Sequence, residues 1–336
     1  MKILVTGGLG YIGSHTVVEL INNNYEVVII DNLSNSELFI LDNIEKITGV
    51  KPIFFNQDIL DFKKINQIFK KEKIKGVIHF AAFKSVPESI KKPLLYYNNN
   101  LLSLINVLKS MEENTVSNIV FSSSCTVYGQ PDKLPVSESS PIKNAESPYA
   151  KTKQISEKII KEFTNSHNNF SSVSLRYFNP VGAHESALIG ELPKGVPDNL
   201  IPYITQTAAG IREELSVFGK DYNTPDGTAI RDYIHVEDLA KAHLKAFNFL
   251  NDSEDKNIYE FFNVGTGIGY SVLDVINSFE NVNNLKLNYS FKDRRDGDIE
   301  KIYSDVIKSK KVLKWESERS LGDMMSSAWK WQKNLK

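Results

Sequence analysis

A chain of 336 residues with one cysteine, Cys125, closes no intrachain disulfide and builds no multi-cysteine metal site. Charge of one sign is equally lacking. The 40 Lys and Arg face 41 Asp and Glu, a formal net charge of -1, so nothing drives the chain electrostatically toward nucleic acid or an anionic membrane. No apolar run approaches the ~18 residues of a membrane span. The N-terminal MKILVTGGLGYIGSH lacks the apolar stretch and cleavage site of a signal peptide. A hydrophobic content of 41% and a charged content of 24% exclude disordered and collagen-like classes. These absences predict a soluble cytoplasmic protein, with no metal, whose partner is a small molecule.

What is present is alternation. KILVT (Lys2–Thr6), YEVVII (Tyr25–Ile30), PIFF (Pro52–Phe55), GVIHF (Gly76–Phe80), NIVFSS (Asn118–Ser123) and SVSLRYF (Ser172–Phe178) are short β-branched or aromatic runs, suited to strands buried on both faces. Longer amphipathic stretches separate them. In one, Leu94, Leu95, Leu101, Leu102, Ile105 and Leu108 recur at helical spacing. Strands alternating with helices predict an α/β fold with a parallel sheet. From Asn179 to Pro202 the chain is rich in Gly and Pro and reads as a long ordered loop, followed by helices near Pro202–Arg212, Val236–Leu250, Ser271–Phe279 and Leu321–Lys333. The Asn runs 22–24 and 98–100 read as compositional bias.

At the first strand-to-helix junction, VTGGLGYIGSH spaces Gly7, Gly10 and Gly13 as G-x-x-G-x-x-G. Such glycines let backbone N–H groups approach a pyrophosphate at a helix N-terminus. Asp31, about 20 residues on at the end of the second strand, suits the adenosine ribose hydroxyls. Its charge repels a 2′-phosphate, so NAD is favoured over NADP. Asp58, after the third strand, is placed to reach the adenine.

SPYAKTK sets Tyr149 four residues ahead of Lys153, on one helical face. As a bare pair this is more often surface decoration. Downstream of a strand ending in three serines, and in an NAD binder, it becomes acid/base machinery. Bringing a phenol from ~10 to neutrality takes about 4 kcal/mol. An ammonium ~5 Å away at an effective dielectric of ~20 supplies about 3 kcal/mol, leaving the remainder to a positive nicotinamide.

Together with FSSSCTVYG, these blocks resemble the extended short-chain dehydrogenase/reductase family. VIHFAAFKSVPES, KPLLYYNNN, LRYFNPVGAH, NLIPYITQ, DGTAIRDYIHVEDLA and NVGTGIGYSVLDV narrow the resemblance, over nearly the whole chain, to its UDP-glucose 4-epimerase members. The resemblance implies a Rossmann-type doubly wound parallel sheet with a smaller α/β C-terminal substrate domain. The NAD domain would occupy 1–178 plus returning segments near 230–265, and a discontinuous UDP-sugar domain 179–336. It implies a homodimer, Ser124, Tyr149 and Lys153 as catalytic residues, and cofactor contacts at Tyr11, Ile12, Asn32, Asn35, Ser36, Ile59, Phe80, Lys84, Asn99 and Phe178. Lys84, Ser124, Tyr149, Asn179, Asn199, Leu200, Phe218, Arg231, Arg295, Asp298 and Ile302 would meet the UDP-sugar, the two arginines binding phosphate oxygens in pairs. Relatives confined to glucose and galactose often carry tyrosine at the place of Ile302, and relatives that also take N-acetylated sugars carry something smaller; Ile302 is intermediate, which implies some turnover of N-acetylhexosamines.

Two rival readings carry discriminating residues. A nucleotide-sugar 4,6-dehydratase needs carboxylates where this chain has Ser124-Cys125-Thr126. A non-catalytic NAD-binding regulator tends to lose the tyrosine or lysine, and both are present. A UDP-uronate epimerase is not separated by spacing.

Overall fold

The computed structural model describes residues 1–295 and 299–335. Its centre is built from β1 (Lys2–Thr6), α1 (Tyr11–Asn22), β2 (Glu26–Asp31), α2 (Phe39–Thr48), β3 (Ile53–Asn56), α3 (Phe62–Glu72), β4 (Gly76–His79), α4 (Val86–Lys91), α5 (Pro93–Glu113), β5 (Asn118–Ser122), α6 (Pro148–Ser166) and β6 (Ser171–Tyr177). The remainder comprises β7 (Asn179–Val181), α7 (Leu200–Ala208), β8 (Leu215–Phe218), β9 (Ile230–Arg231), β10 (Tyr233–His235), α8 (Val236–Asp252), β11 (Tyr259–Val264), β12 (Tyr270–Ser271), α9 (Val272–Asn283), β13 (Tyr289–Lys292), β14 (Lys301–Ile302) and α10 (Leu321–Asn334).

Seven strands form one sheet in the order β11-β6-β5-β4-β1-β2-β3, and every neighbouring pair is parallel. The inner strands run through the middle of the core, so alternate side chains serve opposite faces, whereas β3, expected to be buried on both faces, is an edge strand with Ile53 and Asn56 exposed. Ile3, Val5, Val27, Ile29, Ile78 and Val120 pack with residues of α1, α2 and α8; Leu4, Val28, Ile30, Val77 and Ile119 pack with α3, α5 and α6. Each fully buried aliphatic side chain contributes about 1.5–3 kcal/mol relative to exposure, so the continuous apolar runs are what select this two-sided arrangement. The order of strands reverses between β1 and β4, the place where doubly wound sheets open a crevice at their carboxyl ends.

A third apolar cluster joins α7, β8, β10, α9 and α10 through Ile201, Ile204, Val217, Tyr233, Val275, Phe279, Met324 and Met325. Small sheets, β10-β7, β13-β8 and β12-β9-β14, accompany it. The stretch read as a long loop from Asn179 therefore begins with a strand. Among the described residues no helix is long and apolar enough to cross a membrane, and no group of three or more His, Cys, Asp or Glu is arranged to hold a metal ion.

Candidate active site

The glycine turn follows β1 directly. Gly7 has φ +68°, and a Cβ there would lie 3.0 Å from the Ala81 backbone N beyond β4. A Cβ on Gly13 would lie 2.2 Å from the Gly7 carbonyl oxygen. Only bare backbone lets helix α1, capped by Gly10, sit this close to the turn. Asp31 is buried and ties the neighbouring loops together: its carboxylate accepts from Leu9 N at 3.1 Å, Leu33 N at 2.9 Å and the Ser36 hydroxyl at 2.8 Å. Asn32 reaches Asp58, itself exposed, at 3.2 Å, and Asn35 is exposed nearby. Ile59 is buried, and its carbonyl accepts from Asn106. Ile12 packs beside the first core cluster. The Tyr11 hydroxyl donates to Gly182 O at 2.6 Å, and burial with Glu191 and Glu237 holds that phenol protonated.

The other half of the crevice is formed where β4, β5 and β6 end. Ser147 caps α6 by accepting from Ala150 N at 3.2 Å, and Pro148 takes the first helical position. This start places Tyr149 in the first turn and Lys153 one turn later, both buried. The Lys153 ammonium donates to Ser122 O at 2.6 Å and lies 5.8 Å from the Tyr149 ring centroid. Ser124 caps a 3-10 turn over Cys125–Tyr128, accepting from Thr126 N at 3.2 Å, and its hydroxyl is close enough to the Tyr149 phenol to favour the charged form. The three residues predicted from the sequence therefore meet at the end of β5.

The electrostatics differ from the sequence-based expectation. Burial pushes the Tyr149 phenol well above its ordinary value, aided by Tyr177, and among the main influences only Ser124 opposes it. Burial likewise brings the Lys153 ammonium down to about 8. Desolvation disfavours both charged forms, so the lysine alone does not make the phenol acidic.

Lys84, expected at both the cofactor and the UDP-sugar, and Asn199, expected at the UDP-sugar, converge on one carboxylate. Glu191 Oε1 lies 3.1 Å from Lys84 Nζ and 2.6 Å from Asn199 Nδ2. No local pattern marks Glu191; only the tertiary contact does. The Asn98–Asn100 run is likewise more than composition. Asn100 is buried, accepts from Phe83 N at 2.9 Å, and donates to Phe83 O at 3.0 Å and Thr152 Oγ1 at 3.2 Å, pinning the loop after β4 to α6. Asn99 donates to it at 3.0 Å.

Phe80 lies 4.7 Å from the His243 ring, between centroids. Phe178 is buried with Ile302, Cys125, Val127, Tyr128 and Val136 in one small cluster. Asn179 N donates to Asp232 O at 3.0 Å, and Leu200 opens α7. Arg231 Nη1 donates to Ile230 O at 2.9 Å. The Arg295 guanidinium stacks 4.9 Å from the Phe218 ring centroid, whereas Arg294 is engaged by Asp221 at 2.8 Å. Asp298 lies outside the described residues. Sequence reading missed Asp232, whose buried carboxylate accepts from Thr266 N at 2.8 Å, Thr266 Oγ1 at 2.7 Å, Gly267 N at 3.1 Å and both donors of Ser304.

A glycine-turned Rossmann sheet with serine, tyrosine and lysine at the end of β5 defines an extended short-chain dehydrogenase/reductase. A family model described as GDP-mannose 4,6 dehydratase matches residues 4–328. The UDP-glucose 4-epimerase of Pasteurella multocida is 50% identical, over 99% of this chain and 98% of its own. The crystal structure of UDP-glucose-4-epimerase from Stenotrophomonas maltophila, with bound NAD and formylated UDP-arabinopyranose, superposes with a TM-score of 0.96 at 45% identity, covering 99% of this chain and 98% of that one. That of Bifidobacterium longum, with NAD+ and UDP, gives 0.95 at 43%, covering 100% and 99%. The chain belongs to the UDP-glucose 4-epimerase family.

Proposed function

We propose that the protein interconverts UDP-galactose and UDP-glucose by transient oxidation at C4, using tightly held NAD. The observation that carries this reading is the meeting of Ser124, Tyr149 and Lys153 beside a glycine turn that fits a dinucleotide. The absent side chains of Gly7 and Gly13, the N-terminus of α1 and the Asp31 carboxylate suit its pyrophosphate and ribose.

Bound NAD supplies a hydride acceptor and donor and a positive ring. Tyr149 takes the proton of the sugar 4-hydroxyl and returns it to the same 4-oxygen once the opposite face of C4 is presented for reduction, while Ser124 hydrogen-bonds that oxygen throughout. Lys153 holds its charge beside the phenol and reaches toward the nicotinamide ribose. Since burial favours the neutral phenol, the low-acidity state is the resting one, and the phenolate forms only when further positive charge is present. Arg231 and Arg295 hold the diphosphate, with Phe218, Asn179, Asn199 and Leu200 around the uridine and sugar. Between hydride steps the 4-ketopyranose turns about its bond to the diphosphate. The region beyond residue 179, apart from the returning β11 and α8, forms the sugar-nucleotide side. A dehydratase is disfavoured because Ser124-Cys125-Thr126 supplies no carboxylate acid or base.

The enzyme acts on a small molecule in the cytoplasm as a homodimer. Supporting the dimer, Leu94 is 81% exposed, and Ile90, Leu95 and Leu102 are also exposed on the outward side of α4 and α5. Such a patch is stabilised by a second copy.

The test is incubation of purified protein with UDP-galactose and no added NAD, followed by denaturation. UDP-glucose formation and released NAD are expected. Tyr149→Phe is expected to keep its NAD and lose about 10²–10⁴-fold in kcat; unaltered turnover removes the phenol from the mechanism.

A further inference from the structure

Glu157 on α6, one turn beyond Lys153, and Arg176 on β6 are 4% and 2% exposed. Two charges inside a protein are tolerated only with good geometry and full hydrogen bonding. Here Arg176 Nε donates to Glu157 Oε1 at 2.9 Å and Nη2 donates to Oε2 at 2.6 Å. The Ser123 hydroxyl donates to Oε1 at 2.6 Å. Arg176 Nη1 donates to the Tyr128 hydroxyl at 3.1 Å, which donates in turn to Asn263 Oδ1 at 2.7 Å. The guanidinium also lies 4.1 Å from the Phe261 ring centroid.

Each partner of this pair belongs to an element that carries the reaction. Ser123 stands between Ser122, whose carbonyl accepts from Lys153, and Ser124. Tyr128 closes the 3-10 turn that Ser124 caps. Glu157 lies on the same helical face as Lys153 and Tyr149. Resting on the roles assigned above to Tyr149 and Lys153, we propose that Glu157 is a positioning residue: held by Arg176 and Ser123, its carboxylate locks the serine-bearing end of β5 to α6 and supplies the counter-charge of the Lys153 ammonium.

The electrostatics agree, because burial lowers the Lys153 ammonium and the Glu157 charge raises it again. The other titratable groups around Lys153 and Tyr149 are His79 on β4, Tyr96 on α5, Cys125 in the 3-10 turn, and Tyr177 and Arg176 on β6. Burial holds His79 near 3, and pushes Cys125 and Tyr177 up to about 12 and Tyr96 upward as well, so these four are neutral at pH 7. Arg176 is charged and shares the Glu157 carboxylate with Lys153, which stands one helical turn from it.

The experiment follows the ¹³C shift of the Lys153 ε-carbon with pH in the purified holoprotein, assigned by its loss in Lys153→Met, alongside the pH profile of kcat. Removing the carboxylate in Glu157→Gln is expected to lower the Lys153 midpoint by about one pH unit, with kcat at pH 8.5 falling about tenfold while KM and kcat at pH 6.5 stay within about threefold. Glu157→Asp is expected to restore the midpoint. Should Glu157→Gln not fold, E157M/R176M removes both charges at similar volume, a change cores often accept, and its midpoint is expected to fall as well. A wild-type midpoint in either folded variant, whatever the change in kcat, overturns the proposal. An inactive wild type, or an active Tyr149→Phe, instead overturns the proposed function and leaves the NMR titration to decide the role of Glu157.

Discussion

Ile302 shows how one side chain in this fold sets a steric limit. It is buried with Cys125 and Phe178, next to the strand end where the sugar is proposed to turn. A branched aliphatic residue leaves room that a phenol would fill. The wild type is expected to convert some UDP-GlcNAc, and Ile302→Tyr to lose that conversion at least about tenfold more than UDP-galactose turnover; a sensitive chromatographic assay of both substrates decides it. At the same scale the pH dependence has a definite sign. Lys153 must be protonated to act, and its value is about 8, so kcat is expected to fall as pH rises through that region.

Among elements, a single carboxylate reinforces the backbone pairing that joins β9 to β12 and β14. Asp232 accepts hydrogen bonds from residues 266, 267 and 304 together, which fixes the chain just after Ile302 of β14 and holds the backbone next to Arg231. Asp232→Ala strands these donors and is expected to destabilise the protein by about 3 kcal/mol, measured by denaturant unfolding, and to raise KM more than it lowers kcat. The elements differ in how far the sequence announces them. The glycine turn and most of the six predicted strands were readable because the turn tolerates only glycine and the inner strands are short apolar runs; β3 proves a half-exposed edge, with Ile53 exposed, and β6 buries Ser171, Ser172, Ser174 and Arg176 among its apolar residues. The apolar spacing of α5 was readable too, but not its direction: the helix turns Tyr96, Leu104, Val107 and Met111 inward and leaves Leu94 and Leu102 outside. Asn100, Glu191 and Asp232 were invisible as a group, since each acquires its role from chain segments far away in sequence. The seventh strand was hidden because its polar start, Tyr259 and Glu260, does not look like core.

At the scale of the whole molecule, buried imidazoles set the acid limit. Burial holds His15, His79 and His235 near 3 and His243 near 4. These groups are neutral in the folded chain, while the unfolded chain takes up their protons below about 6.5. Stability is therefore complete above pH 6.5 and falls as pH drops from there toward 4, by up to about 1.4 kcal/mol per histidine per pH unit. Unfolding in urea at pH 7.0 and 5.5 is expected to show this loss. The outward face of α5 makes the other prediction at this scale: if it seats the proposed second copy, wild type is a dimer in light scattering and L94E/L102E a monomer, with the far-UV spectrum unchanged.

The sheet order has a consequence for synthesis. β6 pairs with β5 on one side and with β11 on the other, and β11 leaves the ribosome only after the whole of β7 to α8 has been made. Until then the nascent chain carries an open row of backbone donors and acceptors along β6, the kind of edge on which chains stick to one another. A transcript cut short before codon 259 should therefore yield insoluble product rather than a smaller folded protein.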